Sequence, residues 1–271
     1  MSIFDEKILC SRFGWLVYYK VNLSLMLFNP FTSEIHKLPS LNLPYLSNVC
    51  FSAPPSSVDC TVVGFSLADK SCLYLHIVAG EQTWQRLPLD YGGVGVDPRS
   101  MRFPTFVGCD LYALFNNGEI YVLRNIVNGQ QDYSWKKVVD DVGGRCGSQH
   151  FIVKSDQNLL LVSVSKFGEF VDVFKLNKYG KEWEKVDCLG RQMIYICSST
   201  CVCVEAKIPE MENKIYFPRF GSKNGDIVFY SLETRKYHTF KDKLIRQNLG
   251  MGIDHLNPHV WIEPSWSNQC V

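Results

Sequence analysis

No apolar run in this sequence of 271 residues approaches the roughly 18 residues that a membrane-crossing helix needs; the longest, such as Leu159 to Val164, are strand-sized. Secretion is not expected either. The opening Met1-Ser2-Ile3-Phe4-Asp5-Glu6-Lys7 places Asp5 and Glu6 where a leader carries basic residues, and Arg12 interrupts the apolar residues that follow. A soluble protein of the cytoplasm, the nucleus or both is expected. There is no excess of charge of either sign: 28 Lys and Arg face 27 Asp and Glu, for a net charge of +1. That balance removes the sequence-independent basic field with which proteins bind nucleic acid or anionic membranes, so neither is expected as a partner. Charged residues, at 20%, are too few for a solvating tail, and hydrophobic residues, at 46%, suffice for a packed core.

Motifs of chemistry are equally scarce. The sequence holds no Gly-x-Ser-x-Gly elbow, phosphate loop or kinase motif set. Gly92-Gly-Val-Gly95 lacks the third glycine and the following helix that would aim N–H groups at a phosphate, and reads as a loop. Gly143-Gly-Arg-Cys-Gly147 reads the same way, since Cys146 has no base or helix N-terminus to activate its thiol. The 11 cysteines are odd in number and irregularly spaced, so most are expected to be reduced and buried. Cys197, Cys201 and Cys203 lack the paired spacing of a zinc site and fall in an apolar strand, where cysteine acts as a small hydrophobe. His255 and His259 are four apart, but Asn257 and Pro258 preclude a continuous helix that would bring them to one face. No catalytic residue, metal or cofactor is expected, and the chain reads as a non-enzyme.

What the sequence does have is a repeat. Trp84-Gln-Arg-Leu87, Trp135-Lys-Lys-Val138 and Trp183-Glu-Lys-Val186 are clear copies, and Ile35-His-Lys-Leu38 and Tyr237-His-Thr-Phe240 are weaker ones. The markers Ile35, Trp84, Trp135, Trp183 and Tyr237 lie 49, 51, 48 and 54 residues apart, a period near that of kelch-type propeller blades. Between them run segments rich in β-branched and aromatic residues: Gly14–Tyr19, Leu25–Phe28, Cys60–Phe65, Leu73–Val78, Leu111–Phe115, Ile120–Leu123, Leu159–Val164, Phe170–Phe174, Lys214–Phe217 and Ile227–Tyr230. Several are apolar at successive positions, which means both faces are covered, as in blades packed face to face. The expected fold is all-β: one kelch-like β-propeller domain over residues 1–271. It has five or six blades, the sixth incomplete at the N-terminal end and including Gly250 to Trp266. Only Lys241 to Asn248 is compatible with a helix. The marker tryptophans are expected to pack between blades.

Leu27-Phe-Asn-Pro-Phe-Thr-Ser-Glu-Ile-His-Lys-Leu-Pro39, preceded by Gly14-Trp-Leu-Val, resembles the opening blade of the plant F-box-associated, kelch-like propeller family of KIB type. Trp84-Gln-Arg-Leu-Pro88, Asn213-Lys-Ile-Tyr-Phe217 and Val260-Trp-Ile-Glu-Pro264 extend the resemblance over nearly the whole chain, with Asn-Pro-Phe-Thr followed by Leu-Pro its most specific part. The resemblance implies a protein-interaction propeller that selects substrates for an SCF-type ubiquitin ligase. In the family, an F-box usually precedes the propeller and docks on a Skp1-type adaptor. The opening residues here show no Leu-Pro-x-Asp helix start and no helical periodicity, and Leu87-Pro-Leu-Asp90 reads as a strand end. The adaptor and cullin are therefore expected partners only where an F-box is supplied, with a protein client as the partner otherwise. A stand-alone binding propeller with no ligase link is the alternative, and an enzyme using the mouth of the propeller channel stands behind both. By composition, the most bindable stretch runs from Asp90 to Phe103, with Tyr91, Arg99, Met101, Arg102 and Phe103 as candidate partner-binding residues.

Overall fold

The first hairpin shows how local chemistry starts each sheet: β1 (Ile8–Arg12) turns into β2 (Trp15–Tyr19) through Phe13 at φ 52° and Gly14 at φ 78°. Two successive positive φ values define the primed two-residue turn whose twist matches the strands it joins. Gly14 adopts that conformation freely; Phe13, being bulky, does not. The computed structural model describes residues 7–20, 24–41, 46–66, 72–80, 83–90, 100–116, 118–128, 133–138, 148–156, 158–165, 168–177, 179, 182–197, 201–217, 227–239 and 260–263.

With β3 (Leu25–Phe28) and β4 (Ile35–Lys37) the first hairpin becomes a four-stranded antiparallel meander. The second sheet meanders through β5 (Leu46–Phe51), β6 (Thr61–Ser66), β7 (Cys72–Ile77) and β8 (Gln85–Asp90). Then come β9 (Met101–Val107), β10 (Asp110–Phe115) and β11 (Ile120–Leu123), followed by β12 (Tyr133–Ser134), which pairs in parallel with β8 and covers its edge. The chain continues into β13 (Lys136–Lys137), which completes the third sheet beside β11. The fourth is β14 (Gln149–Ser155), β15 (Asn158–Val164), β16 (Val171–Leu176) and β17 (Trp183–Val186). The fifth contains β18 (Gln192–Tyr195), β19 (Val202–Glu205), β20 (Lys214–Phe217), β21 (Val228–Ser231) and β22 (Lys236–Thr239), in the order β19-β18-β20-β21-β22, with β18 parallel to β20.

These five sheets among the described residues are blades of the β-propeller type, and the repeat marks them one for one. Ile35 and Trp183 open β4 and β17, Trp84 and Trp135 immediately precede β8 and β13, and Tyr237 lies in β22. Each marker thus sits at the start of the last strand of its blade, and the period near 50 is one blade. The expected burial of both strand faces also holds, since every residue of β6 and β11 is buried. The last strands face outward instead, with β4 and β13 largely exposed. Of the C-terminal segments expected to form a helix or a further blade, only Val260 to Glu263 fall within the described residues.

The chain divides into two compact units. One comprises Met1–Asn116, Tyr121–Lys136 and Ile262–Val271. In it the first strands of the blades pack on one another, β1 on β5 and β5 on β9, over a core that includes Val17, Leu27, Phe51, Val63, Leu73 and Leu111. The other comprises Asn117–Ile120 and Lys137–Trp261. There β14 packs on β19, and Met193, Tyr216 and Phe229 form a cluster against which Trp261 packs. The Trp261 indole donates from Nε1 to the Ile196 carbonyl at 2.9 Å.

Candidate functional site

The stretch chosen by composition is not a loop where the structure describes it. Met101, Arg102 and Phe103 lie in β9, and Met101 and Phe103 are only 3% and 4% exposed. Their apolar bulk packs inward, so neither presents a docking surface; Tyr91 and Arg99 lie outside the described residues. The reason is a bulge: Tyr112 faces Thr105 and Leu114 faces Arg102, leaving Phe103 and Pro104 opposite Ala113 alone. Phe103 adopts φ 51° there, and Pro104, which has no N–H to give a ladder, is tolerated at such a point. Arg102 remains partly exposed, with its guanidinium carbon 5.3 Å from the centre of the Phe103 ring.

The repeat markers take different positions. Trp135 is fully enclosed, 6.1 Å from Phe65 and 5.7 Å from Phe115 between ring centroids. Trp84 donates from Nε1 to the Pro39 carbonyl at 2.8 Å, linking the second blade to the chain leaving the first. Trp183 is partly buried, and its Nε1, like that of Trp135, has no hydrogen-bond partner among the described residues. Tyr237 packs on Tyr230 and Phe217, and burial pushes its hydroxyl pKa upward. Ile35 does not join a core: it is 56% exposed, and Leu38 three residues on is the buried partner of that copy.

The constellation with most chemical potential lies where sequence reasoning found no strand, on the first strands of the blades. Arg12 ends β1 and reaches past β5 to β9, where its Nη2 donates to the Phe106 carbonyl at 3.4 Å. Its guanidinium carbon stands 5.6 Å from the centre of the Phe13 ring, and that ring meets Phe51 edge-on at 5.8 Å. Burial lowers the Arg12 pKa, opposed by the fields of Cys10, Cys50 and Glu263. The same burial pushes the Cys50 thiol well up, making it a poor nucleophile. Burial also raises the Glu263 pKa, against the pull of Arg12. The legible signal was Arg12-Phe13-Gly14-Trp15 itself: a bulky aromatic before a glycine, where a tight hairpin turn favours Asn, Asp or Gly.

A second polar cluster opens β14. Among the described residues, Ser148 Oγ, Gln149 Oε1 and His150 Nδ1 are buried without hydrogen-bond partners, and the His150 ring lies against Gly118, with burial lowering its pKa. Among the described residues no group of His, Cys, Asp or Glu gathers as a metal cluster, and no helix is long and apolar enough to cross a membrane. Cys197 and Cys201 are buried and Cys203 is partly so. Cys146, His255 and His259 lie outside the described residues.

Comparison with known proteins adds the following. A family model described as KIB1-4 beta-propeller matches residues 3–240. The Arabidopsis thaliana "F-box/kelch-repeat protein At1g57790" is 27% identical over 94% of this chain and 71% of its own length. "F-box protein At4g00893" from the same plant is 25% identical over 88% of this chain and 62% of its own, and "F-box protein At1g49360" 26% identical over 96% and 56%. The chain therefore spans between about half and three quarters of the length of these relatives. A solved structure titled "YCF48 bound to D1 peptide" is 16% identical and covers 89% of this chain and 68% of its own, with a TM-score of 0.44.

Proposed function

The chain belongs to the KIB1-4 β-propeller family, and from that membership we propose that it is a protein-interaction module that selects client proteins for an SCF-type ubiquitin ligase. The observation that carries the reading is the family match over residues 3–240, taken with relatives named F-box and F-box/kelch-repeat proteins. The physical division of labour is consistent with it. Blade side chains are committed to packing, so client recognition falls to strand ends, turns and loops that a rigid scaffold holds in place. The mechanism is recruitment: the propeller holds the client, and the ligase partners transfer ubiquitin. The Skp1-type adaptor and cullin enter through an F-box supplied with the propeller.

The test is a pull-down of the tagged chain from plant extract, with bound proteins identified by mass spectrometry. It is followed by reconstitution of the ligase around a fusion carrying an F-box ahead of residue 1. The expected result is that proteins captured by the chain alone are ubiquitylated by the fusion and not by the unfused chain. Captured proteins that the assembled ligase leaves unmodified would overturn the ligase role.

A further inference from the structure

We propose that Arg12 is an anchor for a carboxylate, at a site formed where β1, β5 and β9 come together. A guanidinium offers five N–H donors in a planar fork that matches a carboxylate bidentately. Arg12 makes one hydrogen bond among the described residues, the long 3.4 Å contact from Nη2 to the Phe106 carbonyl, so most of its fork is available. The residue keeps part of its surface accessible, although the guanidinium is recessed enough for burial to lower its pKa. In such a setting, an incoming anion is attracted more strongly than at an open surface.

The turn below the guanidinium is an independent observation. Phe13 is held at φ 52°, a conformation costly for a bulky side chain, and its ring is thereby placed both against Phe51 and beneath the Arg12 guanidinium. An aromatic face there limits the rotamers of Arg12 and helps keep the fork preorganised. Among the described residues, Glu263 is the carboxylate whose field acts on Arg12, and no ion pair joins the two. Its charge competes with a ligand without filling the site. The inference rests on the interaction reading only for the source of the carboxylate, an acidic side chain of a protein partner; a free dicarboxylate offers the same chemistry.

The experiment follows the Arg12 Nε–Hε resonance of the full chain, identified by its absence in Arg12→Gln, during titration with glutarate and, separately, with a blocked Gly-Glu-Gly peptide. Saturable shifts at constant ionic strength are expected with at least one probe. Tighter binding of the peptide assigns the site to protein partners, and binding of glutarate alone assigns it to a free dicarboxylate. Measured by calorimetry, since the variants lack the Arg12 resonance, Arg12→Gln should bind the probe at least tenfold more weakly than the unaltered chain, while Arg12→Lys, which keeps the charge without the fork, should fall between those two. Should Arg12→Gln fail to fold, Glu263→Gln decides: removing the competing charge should tighten the probe by about fivefold. No saturation with either probe, equal response to sodium chloride, or an unchanged or weaker affinity in Glu263→Gln would overturn the proposal. The titration uses no client and no ligase, so its failure and that of the ligase reading are separately visible.

Discussion

Trp135 illustrates what a single side chain contributes. Enclosed between Phe65 and Phe115, it would leave an apolar cavity on truncation, and we expect Trp135→Ala to lose about 3–5 kcal/mol in chemical denaturation. Trp84→Phe keeps most of the ring and loses the bond to Pro39, so about 1 kcal/mol is expected in the same assay. Ionisable residues give a pH signature. Burial pushes the Cys60 thiol from 9.0 to about 11, and the Tyr216 hydroxyl from 10.0 to about 12. Below pH 9 both groups are protonated whether the chain is folded or not, and their contribution is fully present. As pH rises from 9 to about 11 the unfolded thiol ionises first, and from 10 to about 12 the unfolded phenol does, so stability falls across those windows. Urea midpoints measured at about pH 8 and about pH 11 should differ in that direction.

Strands and their pairings are where sequence reading succeeded in part. The second and third strands of the blades were legible because they are apolar on both faces and bounded by turn residues. The first strands were not. In the first unit β1, β5 and β9 each carry a register shift against the second strand of their blade, which breaks the two-residue alternation. They also carry Ser11 and Arg12, Ser47 and Asn48, or Arg102 and Pro104, which read as loop composition. The candidate site shares that obscurity because it lies on these strands. Close approach sets a further limit at this scale. A Cβ added at Gly64 in β6 would overlap Leu46 Cδ1, and Leu46 is itself buried. Gly64→Ala is expected to cost about 1–3 kcal/mol, and Leu46→Val in the same chain to restore part of it, as a double-mutant cycle by denaturation would report.

For the whole molecule, the near-balance of charge predicts weak long-range electrostatics. With a net charge of +1, the chain should pass through a heparin column without retention at about 0.15 M salt, and retention would reveal a basic face that the balance conceals. Family membership bears on the fold, and relatives named F-box proteins extend beyond the stretch that matches this chain.

The sequence by itself determined the blade period, the all-β class and the family resemblance. These are one-dimensional properties: the spacing of bulky markers, the run length of apolar residues, and turn chemistry at fixed offsets. Only the tertiary structure decided which residues are recessed and which are exposed. Met101 and Phe103, interface-like by composition, are core, and Ile35, a repeat marker, is exposed. Arg12 reaches a carbonyl 94 positions away. Such a juxtaposition depends on three blades packing their first strands together, a long-range contact that no local pattern encodes.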